Sequence, residues 1–389
     1  MSTQDLSEKA LALHKKYKGK ITVKSKIPQS EDPNFSLVYT PGVAVPSKAI
    51  AKDPSTLFDY TIKSNFVAVV SDGTAVLGLG NIGPEAAMPV MEGKALLMSE
   101  LAGIDAVPLC VKADNASDII RFVRMCAPTF GAINLEDIAA PRCFEVEENL
   151  QDLGIPVFHD DQHGTAVVVF AALLNACRAT NRKMNELSVV VVGAGAAGTA
   201  VTQLIAGAKQ ENFPQVADIK IVDSHGIVSP SRTNMNPYKL KIAQITNSEK
   251  KEGDLAEALK GADVVIGVSR AGIISKEMIQ SMNSNPIVFA MANPVPEIMP
   301  EEALSAGASI VATGRSDLPN QINNALGFPG IFRGALNCRA PRITTSMKYA
   351  AARALSEYVT SPKADQLLAK IGDKAVVQVV ADAVSKAFK

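Results

Sequence analysis

The sequence carries no surplus of charge of either sign: 39 Lys plus Arg offset 39 Asp plus Glu, with neither a basic stripe nor an acidic tail. That balance argues against a phosphate-backbone or nucleic-acid partner, and a small molecule is the expected ligand. Cysteine is scarce. Cys110, Cys126, Cys143, Cys177 and Cys338 lie far apart without a C-x-x-C pair, so a disulfide framework or thiolate metal site is not expected and a reduced cytoplasmic setting is. The first twenty residues lack the apolar core of a secretory signal, because Asp5, Glu8, Lys9, Lys15, Lys16 and Lys18 interrupt them. Repeats, low-complexity tracts and Gly/Ser-rich linkers are also missing. One uncharged run, Leu187 to Ala208, is long enough on paper to cross a bilayer. Its β-branched Val189 to Val192 followed by three close glycines suits a buried strand and turn instead, so no membrane partner is expected.

What is present is a globular composition, 47% hydrophobic and 20% charged over 389 residues, which fits roughly two to three domains. Strands are expected at Phe66 to Val70, Ala75 to Leu79, Ala106 to Val111, Ala132 to Leu135 and Pro156 to Phe158. The first two flank a Ser71-Asp72-Gly73-Thr74 turn. Helices are expected at Ala86 to Ala102, Ser117 to Ala127 and Pro141 to Leu153. Beyond Gly164 come continuous apolar strands at Val189 to Val192, Ile219 to Val222, Val264 to Val268, Ile287 to Ala290 and Ser309 to Ala312, of the kind buried in a parallel sheet. An Ala-rich helical tail follows Ser346. The fold class is α/β: an N-terminal α/β catalytic domain over residues 1–162 and a Rossmann-type, doubly wound parallel sheet with C-terminal helices over 163–389.

Gly193-Ala194-Gly195-Ala196-Ala197-Gly198 follows an apolar strand and opens a helix of small residues. In that context Gly193 permits the tight turn, Gly195 the approach of a pyrophosphate and Gly198 close packing. Asp223 closes the next expected strand, where a carboxylate meets the adenosine ribose, and argues mildly for NAD over NADP. His225 and Arg232 follow closely and either could partner an NADP 2′-phosphate if Asp223 turns away, although they read more readily as ordinary loop residues. Glu136 and Asp137 close one strand and Asp160 and Asp161 another, so an oxygen-rich site for Mg²⁺ or Mn²⁺ competes with strand-end caps and surface ion pairs. His159 and His163, four apart, make a poor zinc pair because no further His or Cys lies near. Lys94 sits among Met88, Val90, Met91, Ala95, Leu96 and Leu97. It is either a base with a lowered pKa or a snorkelling surface lysine. Tyr39, beside a Pro-Gly turn, is equally open.

The motifs YTPGVA at Tyr39, SDGTAVLGLGNIGPEAAMPVMEGKA ending at Ala95, INLEDI around Glu136, PVFHDDQHGTA around Asp161, FAMANPVPE around Asn293, GRSDLPNQINN and GFPGIFRGA together resemble the short-subunit microbial malic enzymes over nearly the whole chain. The resemblance implies metal-dependent oxidative decarboxylation of (S)-malate to pyruvate and CO₂ with reduction of NAD or NADP, by a homodimer. It implies Glu136, Asp137 and Asp161 as metal ligands, Lys94 as general base, Tyr39 as general acid and Asp160 as the acid supporting the lysine. Gly193, Gly195, Ala196, Ala197, Gly198, Asp223 and Asn293 are implied at the coenzyme. Lys94, Asn293 and Asn324 are implied at the substrate, with Asn323 a weaker neighbour. Where larger relatives place an arginine after the SDG turn, this chain has Ala75.

Overall fold

A computed structural model describes residues 3–27, 35–76, 78–315 and 317–388. Four parallel strands form the first sheet in the order β2-β1-β3-β4, from β1 (Phe66–Ser71), β2 (Asp105–Cys110), β3 (Ala132–Leu135) and β4 (Val157–His159). Along β1 the faces alternate: Val67 and Val69 join one hydrophobic cluster, Ala68 and Val70 another. A strand buried on both faces needs parallel neighbours reached by helical crossovers. The Gly83–Ala102 helix provides the first of them.

This corrects the expected hairpin. Ala75 to Leu79 is not a strand; the described residues there form a loop with one isolated bridge, Val76 to Gly80, and Leu77 lies outside the described residues. Gly73, Gly78, Gly80 and Gly83 all take positive φ, which bends the chain away from β1 rather than back along it. The helix expected to reach Leu153 stops at Glu148. The tail holds two helices, Thr345–Tyr358 and Lys374–Ala387, with a non-helical stretch between them.

The second sheet runs β10-β9-β8-β5-β6-β7, from β5 (Ser188–Val192), β6 (Asp218–Asp223), β7 (Gly226–Ile227), β8 (Val264–Gly267), β9 (Ile287–Ala290) and β10 (Ile310–Thr313). Only β7 is antiparallel. The chain leaves β5 for β6 on one side and returns to β8 on the other, so the crevice at the end of β5 lies where strand order reverses. The run from Leu187 to Ala208 folds as strand, turn and the Ala196–Ala206 helix. Among the described residues no helix is long and apolar enough to cross a membrane.

One core joins the two sheets. Val67, Met91, Met98 and Phe158 from the first half share a cluster with Val189, Val191, Phe289 and Phe332 from the second, and the Phe158 and Phe332 rings meet edge to face at 5.6 Å. The C-terminal ends of β3 and β4 are thereby held at a fixed offset from the helices that close the chain.

Candidate active site

The expected acids all leave strand ends. Glu136 and Asp137 follow β3, and Asp160 and Asp161 follow β4 in one wide turn, Asp160–Gly164. Glycine is needed to close that turn, since a Cβ at Gly164 would lie 1.7 Å from Asp160 Oδ1. Asp137 takes the left-handed backbone, φ 54°, which Asp tolerates better than most residues. Its N–H donates to Asp161 Oδ2 at 2.7 Å and its carbonyl accepts from Ala75 N–H at 2.9 Å. The loop after β1 braces the cluster further. Asp72 pairs with Arg142 at 2.7 Å, and Thr74 links Asp72 to the Ala139 N–H.

Glu136, Asp137 and Asp161 offer carboxylate oxygens that all lie within 4.8 Å of one another. Burial is the largest penalty on each. The neighbouring carboxylates add to it, against the pull of Lys94, and the groups are pushed up to about 9 at Asp137, about 7 at Glu136 and about 6 at Asp161. Asp137 Oδ2 and Asp160 Oδ1 are buried without a hydrogen-bond partner. Orphaned oxygens among mutually repelling acids fit a hard divalent cation. The two histidines do not converge as a zinc pair, because His163 Nε2 turns to Glu147 at 2.8 Å.

Lys94 does not snorkel. Its Nζ lies 2.5 Å from Asp160 Oδ2, 2.9 Å from Glu136 Oε1 and 4.7 Å from the centre of the Phe328 ring. The expected lowering of its pKa concerns a lysine beside a bound metal; in the metal-free site the direction is the opposite. Burial does favour the neutral amine, but Asp160, Glu136 and Asp161 outweigh it and the pKa is raised. Asp160, fully buried, is pushed up to about 6 because burial outweighs the attraction of Lys94. Asn324 reaches the same turn, its Cβ 3.5 Å from where a Gly164 Cβ would stand. Asn323 instead caps its own short helix through the Ala325 N–H. Asn293 meets the loop after β1, since a Cβ at Gly78 would lie 2.6 Å from its carbonyl.

Tyr39 is not brought to the cluster. It follows the short Phe35–Val38 helix with its side chain 70% exposed, and its ring hydroxyl bonds to none of these residues.

At the second sheet Gly193 takes φ 112°, and a Cβ at Gly198 would stand 1.7 Å from the Gly193 carbonyl. A Cβ at Gly195 would meet open space, the place a pyrophosphate takes above the N-terminus of the Ala196–Ala206 helix, where Ala196 and Ala197 form the first turn. Gly198→Ala is expected to weaken NADH binding at least about tenfold by forcing this turn open. Fluorescence titration checks it, and an unchanged Kd would show that the turn yields at no cost. Asp223 closes β6 as expected, but Arg232 is not an ordinary loop residue. It forks onto both Asp223 oxygens at 3.0 and 3.1 Å, and Lys239 adds a third contact at 2.6 Å. Burial pushes the carboxyl up, yet these partners hold it down at about 2.

Several contributors carry no sequence signal of their own. Asn134 orients Glu136 at 2.9 Å, Arg142 holds Asp72, and Lys239 reaches Asp223 from 16 residues away. Phe328, beneath the Lys94 ammonium, belongs to the quoted GFPGIF stretch, yet its spacing gives no hint of that contact.

The family profile for the malic enzyme NAD-binding domain matches residues 162–388, and that for the malic enzyme N-terminal domain matches residues 17–120. The chain is 52% identical to a bifunctional malic/malolactic enzyme of Bacillus subtilis, covering 98% of this chain and 93% of that one. It is 51% identical to an NAD-dependent malic enzyme of Geobacillus stearothermophilus, covering 98% and 79%. A crystal structure of NAD-dependent malic enzyme from Thermotoga maritima superposes with a TM-score of 0.92 at 48% identity, covering 97% and 98%. With both halves matched and the acids, lysine and glycine loop set in one fold, this chain belongs to the malic enzyme family of NAD(P)-dependent oxidoreductases.

Proposed function

We propose that the chain oxidises and decarboxylates (S)-malate to pyruvate and CO₂ with NAD as acceptor and NADP as the alternative, using Mg²⁺ or Mn²⁺, in the cytoplasm. Residues 1–162 serve as the substrate and metal domain and 163–389 as the nucleotide domain, and decarboxylation of added oxaloacetate belongs to the same site. The observation that carries this reading is Lys94 wedged between Asp160 and Glu136 beside three clustered carboxylates. Glu136, Asp137 and Asp161 hold the cation. When bound, the cation neutralises these acids and polarises the substrate oxygens, while the nicotinamide accepts hydride.

The protein's own side chains handle the protons. Lys94, as the neutral amine, takes the proton of the C2 hydroxyl at Nζ. Asp160 keeps the lysine in place through the 2.5 Å contact and, shielded from water, can hold a proton itself. Asn324 and Asn293 orient the substrate beside the nicotinamide. Tyr39, which a single copy of the chain leaves outside the cluster, is the proposed donor of the proton to C3, a role that requires the dimer to bring its hydroxyl to a site. Its side chain is exposed together with Phe35, Leu37, Val38, Val43 and Val45, an apolar face that a second copy of the chain would cover. The homodimer is therefore part of the proposal, tested by light scattering on the purified protein.

At the coenzyme, Arg232 and Lys239 already neutralise Asp223, so a ribose 2′-phosphate would meet two cations rather than a bare carboxylate. Arg232→Ala is expected to lower kcat/KM for NADP by about tenfold more than for NAD. Parallel assays with the two coenzymes read this out, and an equal loss with both would remove Arg232 from coenzyme choice.

A further inference from the structure

Glycines show how closely the loops around the coenzyme crevice are packed. A Cβ at Gly193 would stand 2.6 Å from the Val268 carbonyl and 3.1 Å from the Ser269 Cβ, so the loop after β8 lies directly against the pyrophosphate turn. A Cβ at Gly314, just beyond β10, would stand 2.8 Å from Asn293 Nδ2, which places the Asn293 amide on the loop after β9 against that neighbour. A Cβ at Gly267, the last residue of β8, would lie 2.5 Å from Cδ of Glu297. Glu297 thus sits where the loops after β8 and β9 meet.

The Glu297 side chain is fully buried and its partners are backbone amides. Oε1 accepts the Ser269 N–H at 2.7 Å and Oε2 accepts the Ala292 N–H at 2.9 Å. Its own carbonyl accepts the Ile274 N–H at 3.1 Å, tying the two loops together once more. Among the described residues no cation pairs with it; burial pushes its pKa up and the N–H groups pull it back. A buried carboxylate without a counter-charge has no ion pair to offset its loss of water. What it accomplishes is geometric. Each oxygen fixes the second residue beyond one strand, so one rigid group sets the spacing of two loops. Ser269 follows the Val268 carbonyl that abuts Gly193, and Ala292 precedes Asn293.

We propose that Glu297 is a positioning residue for hydride transfer: its carboxylate fixes the separation between the Gly193 turn and Asn293, and with it the place of the nicotinamide relative to C2 of the substrate. Glu297 touches neither coenzyme nor substrate and acts through Ser269 and Ala292. A loop displaced by about 1 Å is enough to cost on the order of 10²-fold in a step that needs near-attack geometry. The effect on hydride transfer rests on the proposed function; the effect on coenzyme binding does not.

The test compares the full-length wild type with Glu297→Gln and Glu297→Asp. Glutamine keeps the shape against Gly267, but its single carbonyl oxygen accepts one N–H while its NH₂ turns a donor on the other. Aspartate keeps the charge on a stem too short to reach both amides. Glutamine also removes an unpaired buried charge, so that variant is expected to fold with a melting temperature close to that of the wild type. In both variants NADH binding, read by fluorescence titration, is expected to weaken at least about tenfold, with Mn²⁺ affinity by calorimetry kept within about twofold. The kcat for malate should fall by about 10², and malate deuterated at C2 should give a larger isotope effect than in the wild type, because hydride transfer becomes the slow step. A side chain that only supports the fold would leave the isotope effect where it is. An unchanged NADH affinity, an equal loss of NADH and Mn²⁺ binding, or failure of both variants to fold overturns the proposal. A wild type that binds NADH and Mn²⁺ yet oxidises no malate would defeat the proposed function instead, and the NADH contrast among the three proteins still decides the role of Glu297.

Discussion

Lys94→Ala lowers kcat for malate oxidation by about 10² or more, the range expected for loss of a positioned base, and leaves the nucleotide Kd little changed. The lysine lies on the Gly83–Ala102 helix against Asp160 and Glu136, while the glycine loop belongs to the other sheet. Lys94→Arg separates the two tasks of this side chain. Guanidinium preserves the charge facing the acids but does not give up its proton near neutral pH. The expected result is a folded Arg variant as slow as the Ala one, with small alkylamines restoring part of the activity only to Lys94→Ala. Wild-type turnover in Lys94→Arg would remove the lysine from proton transfer.

The second large effect is at the metal. Asp161→Ala is expected to weaken Mn²⁺ binding by about 10² or more, beyond the range seen for groups that only orient ligands, and calorimetry of the folded variant checks it. Unchanged affinity would mean that the ligand set is wrong. The wild-type titration should also depend on pH in a fixed direction. Asp137 and Asp161, ordinarily near 3.8, and Glu136, near 4.5, are all raised, to about 9, 6 and 7. Carboxyls raised in the fold contribute stability that is full below their unfolded values and lost as pH rises through the folded ones. The metal-free protein should therefore weaken as pH rises from about 4, near the unfolded values, to about 9, the highest of the folded ones. Over the same interval Mn²⁺ displaces protons, so its affinity rises with pH and its binding heat depends on the ionisation enthalpy of the buffer. A pH-independent affinity would contradict the protonated cluster.

Much of this arrangement was legible in the sequence, and the reasons are local. Val189 to Val192 is a continuous apolar run and Ala132 to Leu135 one broken only by Asn134; each is ended by chemistry-bearing residues, a pattern that announces both the strand and the edge at which its ligands sit. A Gly-containing turn between two apolar runs fits a hairpin as well as it fits the loop found after β1. What decides it is burial of both faces of β1, and the sequence does not display that. The acids that raise the Lys94 pKa in the metal-free site are hidden in the sequence for a similar reason. The lysine's apolar neighbours are near in sequence, but the carboxylate that governs it stands 66 residues away. Arg232 and Lys239 meet on Asp223 only once the chain beyond β7 folds back. Tyr39 was identified by resemblance alone, and nothing in its own spacing says that its ring stays exposed.

The central claim is that these residues form a metal-dependent malate-oxidising site. Its most direct test is the rise of reduced-nicotinamide absorbance with (S)-malate and Mn²⁺, run in parallel with NAD and NADP, with EDTA added to duplicates and pyruvate assayed at the end. The account predicts a signal abolished by EDTA, with pyruvate formed in step with the reduced coenzyme. Folded protein that reduces neither coenzyme, or does so equally well in EDTA, would contradict it.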